Sequence, residues 1–293
     1  MSNDLPRLIA IIGPTAVGKT AHAIALANEI GGEIVSADSR QVYRHMDIGT
    51  AKPTAEERAQ APHHLIDIAD PDDDFSLAVY QELAYAAIAD ITTRGGVPLL
   101  AGGTGQYLAA VLEGWQIPRV PPQPELRAAL EAEAAAHGAG TLHARLARVD
   151  PAAASALAPG NVRRVVRALE VYEVTGRPIS EQQGRQPPPY AVELRWLALP
   201  REALYARIDA RVDAMMAAGL LEEVRGLRAR GYGWELPAMS SLGYIQFRPH
   251  LEEGAALAEC VQRLKFDTHA FARRQDTWFR RIQHNLQLAA DER

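Results

Sequence analysis

Eight residues near the N-terminus, Gly13-Pro14-Thr15-Ala16-Val17-Gly18-Lys19-Thr20, have the chemistry of an anion cradle. Glycines let the backbone curl until successive N–H groups converge on phosphate oxygens. Lys19 adds a full positive charge, a helix N-terminus adds a dipole end, and the Thr20 hydroxyl is a ligand for Mg²⁺. Every fixed position of the phosphate-loop pattern is filled, and the flanks fit. Arg7–Ile12 reads as a strand buried on both faces, and Thr20–Ile30 as a helix closed by Gly31-Gly32. Such a loop, ATP-binding in many proteins, holds a polyphosphate without stating what becomes of it.

Two other stretches converge on the same rim. Asp38 directly follows a predicted strand, Glu33–Ala37, and ligands of parallel sheets sit outside the carboxyl ends of the strands. An aspartate there accepts a proton or holds metal-bound water; the bland alternative is a turn cap. A third strand, Val97–Ala101, ends at Gly102-Gly103-Thr104-Gly105, where the Thr104 hydroxyl either serves the site or caps the helix predicted over Gln106–Glu113. His63-His64 read as core or turn histidines, because adjacent residues seldom aim at one ion and no third ligand is near in sequence.

Positioning these groups requires alternating strands and helices, which residues 1–116 supply, with a further helix over Phe75–Thr93. The fold class expected is α/β: a P-loop NTPase-like parallel sheet carrying an inserted all-helical domain. Pro118, Pro121, Pro122 and Pro124 open the insertion, and the prolines of segment 186–189 close it. It spans 117–193 and holds helical patterns over Glu125–Ala136, Thr141–Val149, Pro151–Leu157 and Val162–Thr175. The core then resumes over 194–293, with a returning strand at Leu194–Leu199 and helices near Arg201–Ala218, Leu220–Arg230 and Ala255–Asn285.

Composition narrows the classes. The chain has 293 residues, 47% of them hydrophobic and 23% charged, which excludes wholesale disorder. Its apolar runs are too short for a membrane span, residues 1–7 lack the pattern of a secretory signal, and Cys260 is the single cysteine. A cytoplasmic, soluble protein acting as a monomer is expected. The net charge of −5 argues weakly against nucleic acid, yet the charge is uneven: Asp47–Asp90 holds ten carboxylates against two cations, and Arg263–Arg281 holds six cations against two carboxylates.

The chain resembles the tRNA dimethylallyltransferases, also called tRNA isopentenyltransferases. The resemblance rests on residues 13–20, on Ser36–Tyr43 running on to Met46–Pro53, on Gly102–Gly105, and on Arg163–Glu170. Gly243-Tyr244 and Arg274-Gln275-x-Thr277-Trp278-Phe279-Arg280 complete it, in family order over nearly the whole chain. Gln106 and Ile245 depart from the usual residues.

The resemblance implies transfer of a dimethylallyl group from dimethylallyl diphosphate to N6 of adenosine 37, beside the anticodon of tRNA. Residues 13–20 would grip the diphosphate, with Mg²⁺ on Thr20; Asp38 would act as general base, Thr104 would help place the adenine, and Arg211 would reach the diphosphate. By its own residue type, Arg211 is equally a surface helix cation. The tRNA anticodon loop would meet Asp38, Ser39, Arg40 and Gln41, together with Arg163, Arg164, Val165, Val166 and Arg167. Arg163 and Arg167 share one face of a helix, giving a short basic edge; the bland alternative pairs them with Glu170 and Glu173. The competing class is a small-molecule kinase, disfavoured because no strand ends in an apolar run plus Asp and no arginine-rich lid follows.

Overall fold

The computed structural model describes residues 5–186 and 189–291. Residues 1–4 and the prolines 187 and 188, on which part of the leader and boundary expectations falls, lie outside them. The chain divides into two compact units, Met1–Glu113 with Pro187–Arg293, and Gly114–Gln186.

The larger unit is built on a parallel sheet of five strands: β1 (Arg7–Ile12), β2 (Gly32–Ser36), β3 (His63–His64), β4 (Val97–Gly102) and β7 (Ala191–Trp196). They lie in the order β3-β2-β4-β1-β7. In β1, Leu8 to Ile12 are fully buried, as a strand covered on both faces requires. Helices α1 (Lys19–Ile30) and α3 (Leu77–Thr93) return the chain between parallel strands. Ile24, Leu26 and Ala27 of α1 pack on Ile9, Ile11, Ile34 and Leu99 of the sheet. The start of α3 is set by Ser76, whose hydroxyl accepts from the Val79 N–H at 3.3 Å.

This order decides the chemistry. Because β2, β4 and β1 are neighbours, the turns leaving their carboxyl ends stand side by side: Asp38, the Gly103-Thr104 turn and the phosphate loop. Gly102 is required at this meeting, since a Cβ there would collide with the Ala37 carbonyl. Helix α4 (Gly105–Leu112) follows β4, and the short α2 (Ala55–Gln60) precedes β3. After the sheet come α10 (Arg201–Ala217), α11 (Leu220–Ala229), the short α12 (Arg248–Glu253) and the long α13 (Leu257–Asp291). Among the described residues no helix is long and apolar enough to cross a membrane.

Two sequence expectations shift here. The returning strand is β7, not Leu194–Leu199, so residues 191–193 belong to the sheet. As an edge strand beside β1 it alternates in polarity, which hid its first half. His63-His64 form an edge strand against β2: His64 Nε2 bonds Glu33 Oε2 at 2.7 Å, and His63 Nδ1 meets the Ala61 carbonyl at 2.8 Å.

The smaller unit contains α5 (Pro124–His137), α6 (Ala139–Val149), α7 (Pro151–Ala156), α8 (Val162–Thr175) and α9 (Ile179–Gln182). It is not purely helical, because β5 (Trp115–Gln116) and β6 (Gly184–Arg185) pair antiparallel at its two ends. Its core joins Leu130, Leu142, Leu146, Leu169 and Val171. Val165 and Val166 lie in that core, at 0% and 3% exposure, so their side chains do not present a surface to RNA.

Candidate active site

The phosphate loop takes the concave form its residues predict. Gly18 (φ 103°) and Ala16 (φ 64°) adopt left-handed conformations within the turn, the kind of backbone that aims successive N–H groups into one hollow. Lys19 folds back into this hollow, donating to the carbonyls of Gly13 (2.8 Å) and Pro14 (2.9 Å). Burial lowers its pKa to about 8; Asp38 opposes that shift and Arg211 adds to it. Thr20, in the first turn of α1, lines the same cavity, of about 1120 Å³, with Asp38, Gly103 and Arg211.

Asp38 has two distinct oxygens. Oδ1 accepts from the N–H groups of Arg40 (2.9 Å) and Gln41 (3.4 Å), the turn-capping arrangement, and Oδ2 receives no hydrogen bond from the described residues. The capping and functional readings of this residue are therefore compatible. Thr104 does not cap α4 with its side chain. Its hydroxyl instead accepts from the Ser39 N–H (2.9 Å) and lies 3.2 Å from Ser39 Oγ, tying the β2 and β4 turns together. Arg40 donates to the Pro237 carbonyl at 2.8 Å, outside the cavity lining, whereas Gln41 Nε2 donates to the carbonyls of Thr50 and Ala51 and braces the cavity wall.

Arg211, on α10, is a cavity residue: burial lowers its pKa, and the nearby Asp38 carboxylate works against that shift. Three further functional candidates are given no role by the sequence reading, although one, Gln275, lies in a block that carries the family resemblance. Arg207 lines the cavity one turn before Arg211, with a guanidinium nitrogen 3.5 Å from where a Gly18 Cβ would stand. Their spacing of four on one helix was the available signal. Gln275 of α13 spans the cavity rim, accepting from Thr15 N–H and donating to the Gly103 carbonyl, both at 2.8 Å. Glu223 of α11 accepts from the N–H groups of Asp47 (2.9 Å), Ile48 (2.7 Å) and Gly49 (3.0 Å) and from the Tyr244 hydroxyl (2.7 Å). It thereby shapes the loop that forms the far wall.

In the smaller unit the arginines divide. Arg167 donates to Glu170 at 2.6 Å, and Arg127 adds bonds of 2.7 and 2.9 Å to the same fully buried carboxylate. These partners hold the Glu170 carboxyl below its usual range against the desolvation that would raise it. A buried carboxylate needs such countercharge, which takes Arg167 out of the expected basic edge. Arg163 and Arg164 remain exposed on α8.

Comparison with known proteins agrees with this geometry. The IPP transferase family matches residues 41–282, and the Isopentenyl transferase family matches 6–67. A tRNA dimethylallyltransferase of Roseiflexus sp. (strain RS-1) is 67% identical over 284 residues, covering 97% of this chain and 93% of the relative. That of Chloroflexus aggregans is 68% identical over 281 residues, covering 96% and 95%. The chain belongs to the tRNA dimethylallyltransferase family. Solved structures agree with that membership. The tRNA isopentenylpyrophosphate transferase of Bacillus halodurans is 39% identical, with a TM-score of 0.68 and coverage of 97% of this chain and 96% of that one. A eukaryotic dimethylallyltransferase acting on tRNA is 30% identical, with a TM-score of 0.80, covering 93% and 69%. Like other tRNA dimethylallyltransferases, the chain is a prenyltransferase enzyme with a P-loop NTPase-like fold.

Proposed function

We propose that the enzyme moves a dimethylallyl group from dimethylallyl diphosphate to N6 of adenosine 37 of tRNA, with Asp38 as general base. The observation that carries this reading is one cavity containing a phosphate loop, two further cations and a carboxylate oxygen that no described residue hydrogen-bonds. The donor is half diphosphate and half hydrocarbon, and the cavity lining has both characters: the cations Lys19, Arg207 and Arg211, and the apolar Ile48, Met215 and Phe271.

The C–O bond to the diphosphate breaks as the allylic carbon spreads positive charge over three carbons. Negative charge then builds on the departing diphosphate, where Lys19, Arg211 and the loop N–H groups stabilise it as it develops. Adenine N6 is a weak nucleophile because its lone pair is shared with the ring. Asp38 Oδ2 would orient the amine and take its proton as the N–C bond forms, while Thr104 keeps the neighbouring turn in register. The target base must leave its stack to enter such a cavity.

Among the described residues no cluster of three or more His, Cys, Asp or Glu side chains is arranged for a metal. That suits Mg²⁺, which is commonly held by one or two protein oxygens plus substrate phosphates. The Thr20 hydroxyl, which lines the same cavity as Asp38, is a hard-oxygen donor of the right kind. When bound, the ion would supply charge neutralisation on the diphosphate.

The test is transfer of labelled dimethylallyl to an anticodon stem-loop with adenine at position 37. Asp38→Ala should slow transfer by about 10²–10⁴ with donor binding largely kept. An unchanged rate removes Asp38 from the role of base, and labelled product on a stem-loop lacking that adenine overturns the choice of target.

A further inference from the structure

The segment between β2 and α2 contributes Asp47, Ile48, Thr50, Ala51, Lys52 and Pro53 to the lining of the cavity that holds Lys19 and Asp38. Its backbone is costly to hold. His45 (φ 66°) and Ala51 (φ 47°) are left-handed although neither is glycine. Gly49 lies so close to Tyr244 that a Cβ would stand 2.6 Å from the ring. Backbone of this kind keeps its shape only where its surroundings over-determine it.

One carboxylate does much of that work. Glu223 Oε2 accepts from the N–H groups of Asp47 (2.9 Å) and Ile48 (2.7 Å), and Oε1 from the Gly49 N–H (3.0 Å) and the Tyr244 hydroxyl (2.7 Å). Successive N–H groups that converge on one point form an anion-binding concavity, and here the protein's own carboxylate occupies it. Four donors on two oxygens call for a carboxylate; a carboxamide would keep one acceptor and turn N–H groups towards the other donors. Burial, with the Glu223 charge beside it, pushes the Tyr244 hydroxyl pKa well up, so the proton it donates stays in place. Glu223 stands in the first turn of α11 and outside the cavity lining, so it can act on the reaction only through the loop.

We propose that Glu223 is a positioning residue for prenyl transfer: its carboxylate fills the nest made by the Asp47, Ile48 and Gly49 N–H groups and so fixes the wall of the cavity in which the donor is seated. The proposal rests on reading that cavity as the donor's site. It gives α11 a part in the geometry of the reaction.

Glu223→Ala in the full-length protein tests it, because that variant leaves the nest vacant for a small carboxylate. Its kcat/KM for dimethylallyl diphosphate should fall by about 10²-fold, the cost of misplacing a substrate by about 1 Å. Affinity for tRNA, read by filter binding, should stay within about twofold. Added acetate should refill the nest and recover about tenfold of the lost kcat/KM in a saturable way, the worth of one hydrogen bond to a charged group. Acetate should leave wild type unchanged, and chloride at equal ionic strength should recover nothing. Glu223→Gln keeps the nest filled with a poorer acceptor, so its loss should be smaller and indifferent to acetate. It also carries the test should the alanine variant fail to fold. Folded variants with the wild-type kcat/KM, a Glu223→Ala loss that acetate does not reverse, or an equal loss of tRNA affinity overturns the proposal. A wild type that transfers no dimethylallyl group overturns the donor-site reading together with it.

Discussion

Lys19 and Lys52 are two of only three lysines in the chain, and both turn inward. Lys52, its side chain 1% exposed, is fully provided for: its ammonium meets Asp47 and Asp67 at 2.6 Å each and the Tyr43 carbonyl at 2.8 Å. Lys19 has two carbonyls of its own loop, one carboxylate acting on it from Asp38, and Arg211 pressing the other way. The first cation completes a piece of scaffold; the second is short of negative charge. That imbalance, more than burial itself, marks a binding site, because a chain that supplies the countercharge itself has nothing left to attract. Glu170 in the smaller unit follows the Lys52 pattern with the signs reversed.

The widest separation between the two lysines should appear on removing each charge. Lys19→Ala is expected to lower kcat for prenyl transfer by about 10²–10³, the usual cost of losing one group aimed at developing charge. Lys52→Met should leave turnover per folded molecule within a few-fold and reduce stability by about 1–3 kcal/mol, since its partners lose their cation. Stopped assays and thermal denaturation of both variants check this. Equal losses of activity with no loss of stability would erase the distinction.

Titration sharpens the same contrast. The Lys19 pKa of about 8 lies below the ordinary lysine value of 10.5. At pH values below 8 the free protein already carries the proton that an anion needs, and donor affinity gains nothing from this group as pH falls. Above 8 the free ammonium is progressively lost, so binding must take a proton up again. Affinity for the diphosphate donor should then weaken by up to about tenfold per pH unit. Calorimetry at pH 9 in two buffers of different ionisation enthalpy should register that uptake, and at pH 7 its near absence. No uptake at pH 9 would mean that Lys19 keeps its proton in the free enzyme.

The sequence exposes the anion cradle and its two neighbours for a physical reason. Each is a local signal, a glycine-bearing turn or a lone polar residue at the end of an apolar run, and sheet order then brings strand ends together. Helix α8 is found at its true bounds because Gly176 stops it in a left-handed conformation. Gln275, Glu223 and the weight of the Arg167–Glu170 pairing, which the sequence offers only as the alternative to a basic edge, are harder to see. The partners of Gln275, and the loop N–H groups that Glu223 holds, lie more than 170 residues away, so nothing in their local pattern distinguishes a rim clamp or a loop brace from a solvated helix face. The Arg167 pairing is local, but its importance comes from Glu170 being fully buried, which depends on how α5 packs against α8. The short β3 and the first half of the alternating edge strand β7 escape for a different reason: neither presents the long apolar run of a central strand.

The smallest effect expected concerns the smaller unit, where charge balance again separates binding from scaffold. Arg163 and Arg164 are exposed on α8 and have the character of phosphate-binding cations, whereas Arg167 is engaged by a carboxylate with no exposure of its own. Replacing Arg163 or Arg164 with alanine should weaken tRNA binding only a few-fold and reduce the slope of log K against log[salt] by about 1 for each phosphate left unneutralised. Arg167→Ala should leave that slope in place and lower the melting temperature instead, because Glu170 keeps Arg127 but loses half of its cationic company. Filter binding across a salt series, beside thermal melts, separates the two outcomes. If Arg167→Ala flattens the salt slope as the exposed pair does, then an ion pair inside the protein does not take a cation out of reach of nucleic acid. The rule drawn from the two lysines would then fail in the smaller unit.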